Sequence, residues 1–376
     1  MEVYRPTWLE INLNNIAHNC KIAKSYAKED VILGAVVKAN AYGHGAVEVG
    51  RACIEAGAGY LIVATVGEAL ELREAGIDVP VLILGWTPEE SFDQVIMHNI
   101  CVALYDADEA AKLNARALEL GKKAIGHLKV DTGMSRLGMQ ADESGLHTAA
   151  AILQMEGIEV EGMFSHFSKA DEADKTFANL QIERFNWFTK ELENRTGSQI
   201  GLRHMGASAG VMDMPNGHYN MIRPGIMLYG YQPSDEMHHV ADLKPALTWK
   251  ARLGRVVELP AGRLIGYNGT YELKRNTRVA TVPVGYADGY NRLLSNRGYV
   301  LCQGKKLPII GKVCMDYFMV DATELPDLKT GDEVILLGQD GDVSIMVPEM
   351  AKMLKTIEHE VTCDISLRVP RIYVRK

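Results

Sequence analysis

The sequence predicts an α/β chain: an N-terminal (β/α)8 TIM-like barrel followed by a C-terminal β-rich domain. Three observations carry that prediction. Between residues 10 and 240 about eight short β-branched runs alternate with helical patterns, no G-x-G-x-x-G follows the first run, and beyond residue 240 glycine and proline punctuate strand after strand. With 376 residues, 47% of them hydrophobic, the chain has apolar surface for two cores.

In order, strands are expected near 31–37, 60–65, 79–84, 100–104, 124–130, 158–164, 200–205 and 221–229, the last interrupted by Pro224-Gly225. The segments between them read as helices: 88–98 opens after Thr87-Pro88, and 107–120, rich in alanine and leucine, ends before Gly121. The boundary falls near Pro233 to Pro245, giving a barrel over 10–240 and a second domain over 241–376 that the N-terminal residues 1–9 join. In that domain strands are expected at 277–284, 299–302, 307–310, 317–321, 333–337 and 361–369, with one late helix near 346–355.

Composition excludes several function classes. The net charge of -8 comes from 48 acidic and 40 basic residues interspersed along the chain, which leaves no basic face for nucleic acid or an anionic membrane. Residues Met1 to Glu10 lack the apolar stretch of a signal peptide, and no run reaches the roughly 18 apolar residues of a membrane span, so a cytoplasmic protein is expected. Six scattered cysteines without C-x-x-C spacing argue against a zinc site and a disulfide framework, and no metal is expected.

Active sites of barrels lie at the C-terminal ends of the strands, so polar residues just after each apolar run are the candidates. Lys38 follows the first run; Lys129, Asp131 and Arg136 lie at or after the fifth; His166 follows the sixth, His204 and Ser208 the seventh, and Arg223 ends the eighth. Each alone has an ordinary explanation: a lysine snorkelling to solvent, an arginine in a salt bridge, a serine capping a helix. Their common placement at one mouth argues for a site. Lys38 closes the run Val31-Ile32-Leu33-Gly34-Ala35-Val36-Val37, where scarce water disfavours an ammonium and prepares an amine to attack a carbonyl compound. After it, Asn40, Tyr42, Gly43, His44 and Gly45 form a polar loop suited to a phosphate.

The run Val36-Val37-Lys38-Ala39-Asn40-Ala41-Tyr42-Gly43-His44-Gly45 closely resembles the pyridoxal-phosphate lysine motif of alanine racemases, whose V-K-A-N core related barrel decarboxylases share. Arg223-Pro224-Gly225-Ile226-Met227-Leu228-Tyr229-Gly230 resembles the racemase segment in which an arginine meets the pyridine nitrogen, where the decarboxylases usually place a glutamate. The resemblance implies that Lys38 binds the cofactor's aldehyde and that Tyr42, Ser208 and the Gly225 and Ile226 amides hold its phosphate. It further implies that Arg136 touches the phenolic oxygen and the substrate carboxylate, that Lys129, carbamylated in many members, positions Arg136, and that His166 bonds to Arg223.

In the second domain, Ile265-Gly266-Tyr267-Asn268-Gly269-Thr270-Tyr271 resembles the segment bearing the catalytic tyrosine, and Lys312-Val313-Cys314-Met315-Asp316 places Met315 against the substrate carboxylate. The implied enzyme is a homodimer with shared active sites that interconverts L- and D-alanine through Lys38 and Tyr267, supplying D-alanine for peptidoglycan. His359, where many members carry tyrosine, would border the substrate pocket and leaves a serine or broader-specificity racemase open. A decarboxylase of the same fold and a non-enzymatic pyridoxal-phosphate carrier are the other readings. The roughly 135 residues after the boundary disfavour the carrier, since such carriers usually consist of a barrel alone.

Overall fold

The computed structural model describes residues 5–376, so the expectation for residues 1–9 is tested only from Arg5 onward. The chain divides into two compact units: Asn15–Ala41 with Ala46–Pro245, and the described residues up to Asn14 with Tyr42–Gly45 and Ala246–Lys376.

The larger unit is the expected barrel. Among the described residues its parallel strands run in the order Met221–Ile222, Ile32–Val36, Ala58–Val63, Val81–Ile83, Ile100–Leu104, Ala124–Asp131, Ile158–Phe164, Leu202–His204. The sheet closes where Asn220 N donates to Arg203 O at 3.4 Å and Arg223 N donates to Gly206 O at 2.8 Å. Helices intervene because local signals start and stop them. Thr65 and Glu68 form a capping box on Val66–Glu74, Asp106 accepts from the Asp108 and Glu109 amides at the start of Ala107–Glu119, and left-handed Gly197 ends Thr176–Thr196.

The eighth strand is shorter than expected: Met221–Ile222 alone pairs, and Pro224, which has no N–H to give a ladder, hands the chain to a 3-10 turn over Ile226–Tyr229. The helix expected over 88–98 forms, opening as a 3-10 turn over Glu89–Ser91 and continuing as the α-helix Phe92–Met97.

The smaller unit is β-rich. Thr7–Asn12 pairs antiparallel with Leu247–Arg252 and parallel with Arg371–Val374, so the described start and end of the chain share one sheet. Ile265, Leu273, Val279 and Ile310 make one buried cluster. The strand expected at 361–369 is not formed; Glu358–Cys363 is a helix, and the last strand begins at Arg371. Tyr42–Gly45 is bound tightly here: Arg371 Nε donates to Gly43 O at 3.0 Å, and a Cβ at Gly43 would lie 2.2 Å from Thr362 O.

Candidate active site

Parallel strands put their C-terminal ends on one rim, so Lys38, Lys129, Asp131, His166, His204 and Arg223 fall at one mouth. Lys38 follows the strand Ile32–Val36 and is half-buried, less shielded than its apolar run suggested. Tyr229 Oη donates to Val36 O at 2.8 Å and fixes the strand end beside it. The next four residues, Ala39, Asn40, Ala41 and Tyr42, have φ of 51–52°, a turn of left-handed helix built without glycine. It is pinned by Ala39 N donating to Glu68 Oε1 at 2.6 Å and Ala46 N donating to Asn40 Oδ1 at 2.9 Å. Glu68 also accepts from Ala64 N, a bracing role with no signal in the sequence beyond its place in a capping box.

Arg136 is exposed on the loop after the fifth strand. Asp131 Oδ1 accepts from the backbone amides of Gly133 at 2.9 Å, Met134 at 2.9 Å and Ser135 at 3.0 Å, and so bends that loop. Lys129 is buried, and its Nζ donates to Leu84 O at 2.8 Å. Burial first, then the neighbouring Arg136 and Arg223, lower its pKa to about 8. His166 is held near a pKa of about 3 by burial first and then by Arg223, Arg136, Lys38 and Lys129. Four cations thus act on one imidazole, with Asp131 as an opposing charge on Lys129.

Arg223 is 2% exposed, and burial lowers its pKa to about 9, which leaves it a cation at neutral pH. Its Nη2 donates to Ser165 O at 2.8 Å and Met205 O at 3.1 Å and faces His166 Nδ1 at 3.3 Å, while Nη1 faces His204 Nδ1 at 2.6 Å. The Phe164 ring lies 5.5 Å from its guanidinium and 5.3 Å from Lys129 Nζ. Ser208 Oγ accepts from Gly225 N at 2.9 Å and Met227 N at 3.3 Å, which joins the residues expected at a phosphate into one loop and leaves the hydroxyl hydrogen to donate elsewhere.

The remaining candidates belong to the β-rich unit. Tyr42 is buried; burial first, then Cys363, raises its pKa, so the phenol keeps its proton. Its ring lies 5.5 Å from that of half-buried His359. Tyr267 is 66% exposed and Met315 53% exposed. Gly285 allows the Met315 backbone to approach, since a Cβ there would lie 2.2 Å from Met315 O. No helix among the described residues is long and apolar enough to cross a membrane.

Comparison with known proteins agrees over the whole length. A family model for the alanine racemase N-terminal domain matches residues 11–233, and one for the alanine racemase C-terminal domain matches 246–373. An alanine racemase of Carboxydothermus hydrogenoformans is 46% identical over 371 residues, 98% of this chain and 100% of the relative. Among solved structures, an alanine racemase of Clostridium difficile 630 superposes with a TM-score of 0.95 at 39% identity, covering 100% of this chain and 97% of that one. One from Bartonella henselae, described with covalently bound pyridoxal phosphate, superposes with a TM-score of 0.85 at 29% identity, covering 98% and 99%.

Proposed function

Since the chain belongs to the alanine racemase family, we propose that it moves the α-proton of alanine between two bases, Lys38 on one face and Tyr267 of the partner subunit on the other. It is a pyridoxal 5′-phosphate-dependent isomerase that interconverts L- and D-alanine. Bound cofactor acidifies the α-C–H bond by drawing its electrons toward the ring.

The observation that carries the reading is the charge balance at the mouth. Lys38, Lys129, Arg136 and Arg223 act on His166, and Asp131 is the carboxylate among the groups acting on Lys129. Such an excess of cations suits a dianionic phosphate together with a substrate carboxylate. In this reading Lys38 takes the aldehyde, Arg136 and the Met315 amide orient the substrate carboxylate, and Tyr42, Ser208 and the Gly225 and Ile226 amides hold the phosphate. Arg223, whose partners at the mouth are all acceptors or neutral imidazole nitrogen, presents a fixed donor to the ring nitrogen. A donor that keeps its own proton limits how much negative charge the ring takes up, which favours return of the proton over side reactions.

Racemisation needs a base on each face, since one base would return the proton to the face it left. The exposure of Tyr267 and Met315 supports a homodimer in which each protomer completes its partner's site. A reducing cytoplasm fits the buried thiols Cys20 and Cys53, unbonded with sulfurs 3.5 Å apart. The D-alanine formed there serves peptidoglycan synthesis in this reading.

Solvent deuterium exchange tests the two-base assignment. In Tyr267→Phe, α-proton loss from L-alanine falls about 10²–10⁴-fold while D-alanine still exchanges; equal exchange of both enantiomers at the native rate overturns it. Borohydride reduction of the native holoenzyme should leave the cofactor's mass on the peptide containing Lys38.

A further inference from the structure

Behind Arg223 runs a line of polar side chains that the reaction scheme leaves unused. His204 Nε2 faces His127 Nδ1 at 2.8 Å, His127 Nε2 faces Glu161 Oε2 at 3.4 Å, and Tyr60 Oη donates to the same Glu161 oxygen. His127 and His204 are fully buried and Tyr60 is nearly so, whereas the Glu161 side chain is 37% exposed. Glu161 lies three residues before Phe164 on its strand, about 10 Å below the mouth at the usual strand rise.

The packing holds both rings in place. Phe164 stacks on His204 with centroids 5.0 Å apart and planes within 6°. Gly162 makes room for His127, because a Cβ there would lie 3.1 Å from His127 Cε1 and 2.8 Å from Leu202 O.

Every proton along the line follows from its first member. A guanidinium nitrogen only donates, so His204 Nδ1 accepts and the ring carries its proton on Nε2. That N–H donates to His127 Nδ1, which leaves the His127 proton on Nε2, facing Glu161. The carboxylate accepts from both His127 and Tyr60 and ends the chain. Burial and the neighbouring Arg223 keep His204 neutral; burial does the same for His127, and the His127 hydrogen bond keeps Glu161 ionised. Cys101 Sγ lies within 4.8 Å of the His127 and Glu161 ligand atoms, a grouping of metal-binding residue types. With a proton on Nε2, however, His127 offers no lone pair to a cation at that point.

We propose that Glu161 is a positioning residue for Arg223: as the terminal acceptor it receives the His127 Nε2–H that the guanidinium imposes from the other end, so that both ends of the line favour the same tautomers and Arg223 is held as a donor at the mouth. This rests on the assignment of Arg223 to the cofactor's ring nitrogen. Without an acceptor at 161, a buried His127 Nε2–H loses its partner, and the line shifts toward the reverse order, in which His127 donates from Nδ1, His204 accepts at Nε2 and an N–H turns toward Arg223 Nη1. Two donors then face each other, and the guanidinium turns away.

Selectively 15N-histidine-labelled holoenzyme tests this by NMR. The native enzyme should show His127 and His204 as neutral Nε2–H tautomers. Glu161→Met should change those signals and lower kcat roughly tenfold to a hundredfold, with KM for alanine near native. Glu161→Gln, which can still offer an oxygen to His127, should recover part of kcat and the native tautomers. Tyr60→Phe should retain the native tautomers. An Nδ1–H tautomer at either histidine in the native enzyme overturns the proposal, as does native kcat with native histidine signals in folded Glu161→Met or, should that variant not fold, in Glu161→Leu. The tautomers are read at rest, so they stand apart from the two-base assignment, which the exchange experiment on Tyr267→Phe decides.

Discussion

Asp131 shapes the loop that leads to Arg136: one carboxylate oxygen gathers the three consecutive backbone amides of Gly133, Met134 and Ser135. Asp131→Ala should release that loop and raise KM for alanine about tenfold, with a smaller effect on kcat, as steady-state kinetics would show. His166 gives a pH signature. The unfolded chain binds its proton near pH 6.5, while the native ring does so only near about 3, so unfolding takes up a proton between those values and stability rises with pH across that window. His127, His204 and His218, lowered chiefly by burial, act in the same direction. Urea unfolding between pH 5 and 6 should show a positive slope of stability against pH, and His166→Gln should reduce that slope by about one proton. On the proposal that His359 borders the substrate pocket, a tyrosine there narrows it: the ratio of kcat/KM for serine over alanine should fall about tenfold in His359→Tyr, and an unchanged ratio removes this residue from substrate selection.

Among elements, the left-handed turn after Lys38 is the most strained. Four non-glycine residues at φ of 51–52° carry about 1–2 kcal/mol each, so their bracing by Glu68 and Asn40 is part of how Lys38 is aimed. Ala39 is the exposed member. Ala39→Gly removes its steric penalty without opening a cavity and should stabilise the fold by up to about 1 kcal/mol in urea titrations. The turn was not legible in the sequence, because alanine and tyrosine give no sign of a left-handed backbone and asparagine adopts it ordinarily as a single residue, although the glycines after them marked a loop. The helix Glu358–Cys363 was misread for a related reason. Val361-Thr362-Cys363 has strand-forming residues, yet Thr362 Oγ1 donates to Glu358 O at 3.3 Å and Val361 and Thr362 are buried, so packing overrides the propensity. The strand Leu247–Arg252 has no continuous apolar run because its buried residues alternate with less buried ones, and Arg255–Leu259 carries two charged residues in five and no buried position.

For the whole molecule, the proposed sharing of active sites between protomers makes a countable prediction. In a hybrid dimer of one Lys38→Ala and one Tyr267→Phe protomer, one site carries both defects and the other carries none. Co-expressed and purified hybrids should therefore recover about half the native activity, although each homodimer is nearly inactive. Hybrids as inactive as their parents would show that Lys38 and Tyr267 act within one protomer.

The barrel, the β-rich domain and the family were legible in the residues alone, because burial on parallel strands demands apolar runs and the site demands polar residues where those runs end. Lys38, Arg136, His166, Ser208 and Arg223 stood in view for that reason. The folded chain was needed to reveal the handedness of the turn after Lys38, the loop that Asp131 bends, and the line from Arg223 through His204 and His127 to Glu161. The last of these depends on hydrogen bonds between residues 19 to 77 positions apart along the chain, and a proton's place on an imidazole is set by whichever neighbour the fold brings to it.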